Sequence, residues 1–393
     1  MKIARVEAFP IRLPRDREQA RRTAGSPTLL AEGTSNYRWS AVFPALYPIH
    51  FETALVKIIT CDGLVGWGEA QAPLAPEVAC TIIRTLLAPV LQEVAFEPTA
   101  EAIADLWRRM YSTMRVRGQT GGFMLDAISG IDVALWDLAG KARGMPVAKL
   151  LSESPESEVQ AYLSGVSSLE SAAERSAEGF RIFKLFYEST EAELIGAFDA
   201  LQEHVGADAR IAVDALWRLD ASSAVALGRQ LDERNALWLE APLLPEDPIA
   251  HGELARGIKT PLALGESYRT TYEMAPFFRE KAVRFAQPDL GRTGITEARR
   301  IATQAEEHGA DVVPHVSIAL APQIAAAIHF GAATPGCSLL EFNPNVLAVA
   351  NRYVDEPLEV RGAKYIVPER PGLGVDINET ALRRDSLNAS EWP

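Results

Sequence analysis

Six ionisable residues recur at near-constant spacing in the second half of this 393-residue chain: Asp214, Glu240, Glu266, Asp289, His315 and Glu341, separated by 26, 26, 23, 26 and 26 positions. Each closes, or nearly closes, a short apolar run: IAVD, ALWLE, PLALGE, VRFAQPD, DVVPH and SLLE. Three carboxylates converging on one point repel one another unless a cation sits among them. An all-oxygen donor set suits a hard divalent ion, and few protein ligands with open positions suit Mg²⁺. Asp214, Glu240 and Glu266 are therefore candidate metal ligands, although any one of them alone reads equally well as a cap or a salt-bridge partner. Asp289 and His315 come next in the series. An Asp that accepts a hydrogen bond from a His fixes its tautomer and raises its basicity. An imidazole with its ordinary pKa of about 6.5 suits general-base work at neutral pH; a structural His–Asp pair is the plainer alternative. Lys184 stands inside IFKLF, where a lysine is out of place unless it points into a polar mouth or snorkels to a barrel end. Its charge could hold a substrate carboxylate. Glu341 would face the His side of the cavity or complete the site. A metal facing a carboxylate, beside a basic His, describes proton abstraction α to that carboxylate.

Such residues need a frame that delivers them to one place. A strand, a loop, a helix and a second loop use up roughly this spacing, since a (β/α)₈ barrel takes about 250 residues for eight units. The apolar runs predict strands at 159–165, 182–186, 211–214, 236–240, 262–266, 284–289, 311–315 and 338–342, nearly continuous in apolar residues as parallel barrel strands should be. Barrel enzymes place their chemistry at the C-terminal strand ends. Upstream, KIARVEAFPIRL (2–13) and FETALVKIITCDGLVGWGEA (51–70) read as antiparallel strands, the second with a hairpin turn at Asp62-Gly63. The polar segment 14–44 between them is long for a compact domain, so it is a lid, a binding loop or disordered. Tyr37, Arg38 and Trp39 favour contact with something, because disordered segments are poor in aromatics. Helical spacing runs from about Pro76 to Met114, and a strong helix opens at Met124 and stops at Gly144 and Pro146. Its Asp126, Asp132 and Asp137 read as structural. After Asn345 the chain becomes β-like and rich in Pro and Gly, and is expected to return to the N-terminal domain.

Composition narrows the partners. A formal charge of −13 argues against nucleic acid, whose phosphates need a basic surface. No apolar run approaches the roughly 20 residues that span a bilayer, and the alternating first residues do not read as a signal peptide. A cytoplasmic protein is expected, with neither nucleic acid nor membrane as partner. Cys61, Cys80 and Cys337 have no metal-like spacing and read as small buried hydrophobes.

At this point the chain resembles the enolase superfamily, in its mandelate racemase-like branch. The matching stretches are GWGE (66–69), ALWDLAGK with the following G-x-PV-x-x-LL (134–151), VDA (213–215), LEAP (239–242), LGES (264–267), QPD (287–289), VPH (313–315) and LEF (340–342). The resemblance implies an α/β fold: a modified (β/α)₈ barrel of (β/α)₇β type under an α+β capping domain. The expected division is 1–128 for the N-terminal part of the cap, with a specificity loop at about 14–44, then 129–350 for the barrel and 351–393 for a C-terminal return to the cap. It implies Mg²⁺ on Asp214, Glu240 and Glu266, a His315–Asp289 base, and Glu341 as the acid on the enolate oxygen. Lys184 matches the first Lys of the branch's Lys-x-Lys motif. The second Lys, an opposing base, is replaced by Phe186, and the usual Asp-x-Asn of the third strand is Asp214-Ala215-Leu216. With one base, β-elimination of water from a sugar acid (aldonate or aldarate) is the first expectation. A cycloisomerase of a sugar-acid lactone or anhydro sugar acid is the runner-up, then a racemase or epimerase, and last a non-catalytic binding protein. The substrate is thus expected to be a small-molecule carboxylate, and the protein a homo-oligomer.

Overall fold

The computed structural model describes residues 1–15, 28–29, 36–39, 45–166 and 168–393. The specificity loop expected at about 14–44 lies mostly outside the described residues. Strand β1 (Ile3–Leu13) is followed by three short strands, β2 (Thr28–Leu29), β3 (Tyr37–Trp39) and β4 (Leu46–Pro48), which pair with one another. Next come β5 (Phe51–Thr60) and β6 (Val65–Ala70), joined by the predicted hairpin; β1, β5 and β6 form an antiparallel sheet. Helices α1 (Pro76–Ile82), α2 (Ala100–Ser112) and α3 (Gly122–Arg143) follow. Helix α3 lies on β6 at backbone contact, because a Cβ on Gly68 would come 2.0 Å from the Gly130 carbonyl oxygen. It stops at Gly144, whose φ of 63° is the left-handed C-terminal cap that glycine allows. Its carboxylates are structural as read: Asp132 accepts the Thr296 amide and Asp137 those of Trp67 and Leu373. Cys61 differs from expectation. It is exposed in the β5–β6 turn, whereas Cys80 is buried.

After a short helix α4 (Val147–Leu151), the described residues contain eight parallel strands: β7 (Glu158–Ser164), β8 (Ile182–Phe186), β9 (Arg210–Asp214), β10 (Leu239–Glu240), β11 (Leu262–Leu264), β12 (Phe285–Ala286), β13 (Asp311–Val312) and β14 (Leu340–Phe342). Strand β14 pairs with β7, and a Val312–Cys337 bridge joins β13 to the stretch before β14, so the sheet closes into a barrel. The strands fall where the spacing predicts, but several are shorter: β11, β12 and β13 leave the ladder before the reactive end, while β10 and β14 enter it late. Helices alternate with them: α5 (Leu169–Ala177), α6 (Glu191–Val205), α7 (Ala221–Glu233), α8 (Pro248–Gly257), α9 (Thr271–Arg279), α10 (Leu290–Glu307) and α11 (Ala321–Ala333). After β14 comes only the seven-residue α12 (Pro344–Ala350), in keeping with a (β/α)₇β barrel.

The barrel interior has a floor of Tyr162, Ala212, Trp238, Ala263, Phe285, Val313 and Leu339. The Trp238 ring lies 5.2 Å from both the Tyr162 and Phe285 rings. Two residues past Ala212, Trp238 and Leu339, on the same strand faces, come Asp214, Glu240 and Glu341, and Lys184 stands two past Ile182, which packs against this floor. Beyond α12 the chain first forms a hairpin, β15 (Val360–Arg361) with β16 (Lys364–Ile366), and β16 pairs with the start of β7. This first part of the tail thus joins the barrel, not the N-terminal sheet as expected. Strand β14 covers β7 only from Ala161 onward, and the open edge at 158–160 takes another strand. Only then does the tail reach β1, where the Leu387 amide meets the Arg12 carbonyl and the Trp392 indole N–H the Pro10 carbonyl. Among the described residues no helix is long and apolar enough to cross a membrane.

Candidate active site

Asp214 and Glu240 are direct register partners on β9 and β10. Parallel neighbours lie about 4.8 Å apart, so equal register sets their carboxylates side by side. Glu266 stands just past β11, and one oxygen from each of the three lies within 4.8 Å of the others. The backbone turns sharply behind them. Leu216 (φ 54°), Trp217 (φ 53°) and Ala241 (φ 43°) are left-handed without being glycine, a strain that persists only where the surroundings impose it. The turn lets the Leu216 amide donate to Asp214 Oδ1 at 3.0 Å. Glu240 Oε2 accepts from Trp238 Nε1 at 2.9 Å and from Gln287 Nε2 at 2.8 Å. Lys184 Nζ, only 1% exposed, lies 2.7 Å from Glu240 Oε1, 2.9 Å from Glu341 Oε1 and 3.5 Å from Asp214 Oδ2.

His315 faces this cluster from the other side. Asp289 and His315 form a parallel bridge beyond β12 and β13, which brings Nδ1 within 2.7 Å of Asp289 Oδ2. An ionised carboxylate only accepts, so Nδ1 carries the hydrogen and Nε2 is left as the basic nitrogen when the ring is neutral. Nε2 lies 3.0 Å from Glu266 Oε2 and 3.8 Å from Glu341 Oε2. Glu341 Oε2 also accepts the Val316 amide.

The electrostatics are lopsided. Five carboxylates (Asp214, Glu240, Glu266, Asp289 and Glu341) meet one ammonium and one imidazole, all nearly buried. Burial disfavours charge on Lys184, but Glu240 and Glu341 outweigh it and hold its pKa well above the ordinary value. Burial likewise opposes charge on His315, and Glu266 and Glu341 drive its pKa well up. Burial would raise Glu341, yet Lys184 and His315 pull it down to about 2. Asp214 goes the other way. Burial, and then Glu240, push its pKa well above the carboxylate range. The part that Glu240 contributes is surplus negative charge that a further cation would relieve. Glu266 Oε1 is buried with no hydrogen-bond partner, a free lone pair of the kind a metal takes. The donor set of Asp214, Glu240 and Glu266 thus fits an oxygen-liganded divalent cation.

All seven side chains singled out in the sequence converge here. Phe186, two residues past Lys184 on the same strand face, has its ring 5.5 Å from Lys184 Nζ. Two polar side chains escaped the sequence reading. Gln287 lies in the QPD stretch, and its closeness to Asp289 was the available signal. Gln323, whose Nε2 donates to Asp289 Oδ1 at 2.9 Å, lies on α11 and had none.

The family described as mandelate racemase/muconate lactonizing enzyme, N-terminal domain, matches residues 49–152, and the one described as enolase C-terminal domain-like matches 168–381. The chain is 33% identical over 347 residues to D-galactarolactone cycloisomerase of Agrobacterium fabrum, covering 84% of this chain and 89% of that protein. It is 30% identical over 364 residues to arabinonate dehydratase of Saccharolobus solfataricus, covering 89% and 95%. A solved member of the enolase superfamily from Agrobacterium tumefaciens superposes with a TM-score of 0.89 at 30% identity, covering 97% of this chain and 98% of that one. With both family segments matched in order and the barrel and its cap in place, the chain belongs to the mandelate racemase/muconate lactonizing enzyme family of the enolase superfamily.

Proposed function

We propose that the protein abstracts the proton α to the carboxylate of a sugar acid with His315 as its one base, and that the reaction is dehydration of an aldonate or aldarate to a 2-keto-3-deoxy acid. The observation that carries this reading is the one-sided site. His315 is held by Asp289 at 2.7 Å, while the strand position where a second base would stand holds Phe186. A Mg²⁺ on Asp214, Glu240 and Glu266 would neutralise the substrate carboxylate and the charge that grows on it. With Glu266 engaged by such a cation, the pull that holds the ring protonated would be relieved, and His315 then takes the C2 proton on Nε2 while Asp289 stabilises the imidazolium. Lys184 and Glu341 face the developing enediolate, Lys184 as a fixed positive charge. The C3–O bond then breaks, the imidazolium returns its proton to the departing hydroxyl as water leaves, and the enol becomes the ketone.

The cycloisomerase reading is favoured by one specific observation, the likeness to a protein named for that activity. It needs the same base and cation. Incubation with Mg²⁺ and a set of aldonic acids, aldaric acids and their lactones separates the two. The dehydratase reading expects 2-keto-3-deoxy products; lactone isomerisation with no dehydration overturns it. His315→Asn should abolish turnover and leave Mg²⁺ binding within about twofold, and an active His315→Asn removes the assigned base. The same reading divides the chain near residue 128 and takes the protein as a cytoplasmic homo-oligomer, whose oligomeric state light scattering of the purified protein checks.

A further inference from the structure

We propose that Gln323 and Glu69 are positioning residues for the base, Gln323 by fixing the Asp289 carboxylate and Glu69 by fixing the helix end that carries Gln323. The inference rests on the reading of His315 as the base.

Asp289 is fully buried, and its two oxygens have different partners. Oδ2 accepts from His315, while Oδ1 accepts from the Gly291 amide and from Gln323 Nε2, each at 2.9 Å. Two donors on one oxygen set the plane of the carboxylate, and that plane sets the plane of the imidazole. Gln323 Oε1 is buried and unpartnered, so core packing alone would favour an apolar side chain at this place. The donor is what the amide contributes. Gly291 makes room for it, since a Cβ there would stand 2.3 Å from Gln323 Oε1.

Both donors to Oδ1 are held by the N-terminal half of the chain. Helix α11 begins at Leu320 with no side-chain cap of its own. Glu69, from β6, takes that place across 251 residues. Its Oε1 accepts the Leu320 amide at 2.8 Å, and its Oε2 accepts Leu320 at 3.0 Å and Gln323 at 3.3 Å. Thr53 Oγ1 donates to Glu69 Oε1 at 2.8 Å and fixes it in turn. The other donor, Gly291, has its carbonyl held by the Gln71 amide at 2.8 Å and by the Ser129 hydroxyl. The segment from Glu69 to Gln71 therefore registers the cap against the two groups that aim Asp289.

The test uses the full-length Mg²⁺-loaded protein and three variants: Gln323→Met, which keeps length and loses the donor; Gln323→Glu, which turns a carboxylate toward Asp289; and Glu69→Gln. One readout needs no substrate. Side-chain ¹⁵N–¹H spectra of the six histidines, with His315→Asn assigning the His315 signal, report the proton on Nδ1. Each variant should shift or broaden that signal and leave the rest in place. The second readout is steady-state kinetics on whichever acid is turned over, with kcat lower by about 10–100-fold and KM within about threefold. An unchanged His315 signal with kcat within about twofold overturns the proposal. So do changes spread over all the histidines together with an equal loss of Mg²⁺ affinity, which mark general disruption. If no acid is turned over, the functional reading fails by itself and the His315 signal still decides the positioning role. Should Glu69→Gln fold poorly, the two Gln323 variants decide it.

Discussion

Lys184 keeps its charge in a place that 1% exposure would otherwise forbid, because Glu240 and Glu341 lie within 2.9 Å of its Nζ. The pairing has a consequence for the metal. Lys184→Met removes the one ammonium among the carboxylates and leaves the site one unit more negative. Mg²⁺ should then bind more tightly by titration calorimetry, while kcat falls by about 10²–10³-fold as a fixed positive charge at the reacting carboxylate is lost. Weaker Mg²⁺ binding in this variant would contradict the charge assignment. Lys184 was legible in the sequence, since a lysine within IFKLF has no reason to be there unless the strand end is polar. Gln323 was not, because an amide near the start of an apolar helix looks the same whether it faces solvent or a buried carboxylate.

At the scale of elements, the glycines of GWGE exist for contact, not for catalysis. A methyl on Gly68 would meet the Gly130 carbonyl at 2.0 Å and the Ala134 amide at 2.6 Å, so β6 would have to lift off α3. Gly68→Ala should cost about 1–3 kcal/mol or more, read as a drop of several degrees in thermal midpoint, and an unchanged midpoint would show that the two elements give way freely. A second joint is sensitive to pH. His329 on α11 accepts the Ala148 amide of α4 on Nδ1 and donates from Nε2 to the Leu373 carbonyl. Burial lowers its pKa from 6.5 to about 4. The unfolded chain therefore binds the proton more readily between those values, and the folded state loses stability as pH falls from about 6.5 to 4, by up to about 3 kcal/mol in all. Denaturant unfolding of the parent and of His329→Gln should show a stability gap that is widest near pH 7 and shrinks toward pH 4. A gap independent of pH would mean that the ring is not neutral when folded. The sequence could not reveal this joint, since Ala148 and Leu373 contribute only backbone groups.

For the whole molecule, the surplus of carboxylates at the barrel mouth is expected to make stability depend on a divalent cation. An ion held only by the folded state adds about 2.7 kcal/mol at a hundred times its dissociation constant. Mg²⁺ should raise the thermal midpoint and EDTA reverse it, and Asp214→Asn should flatten the response; a midpoint indifferent to Mg²⁺ would rule out the triad as an ion site. The barrel was readable from spacing, because each β/α unit consumes a near-fixed length of chain and six of the apolar runs close, or nearly close, on an ionisable residue. The carboxylate triad and the His315–Asp289 pair followed from the same regularity, as consecutive parallel strands in register must place like positions side by side, whereas Lys184 stood out only by its apolar context. The tertiary structure alone decided three contacts: the tail hairpin on the open edge of β7, the carboxylate of Glu69 at the start of α11, and Gln323 on Asp289. These contacts link residues 34 to 251 positions apart and depend on buried hydrogen bonds to single backbone groups or carboxylates. A periodic pattern records which face of an element is buried, but not which backbone amide that face will meet.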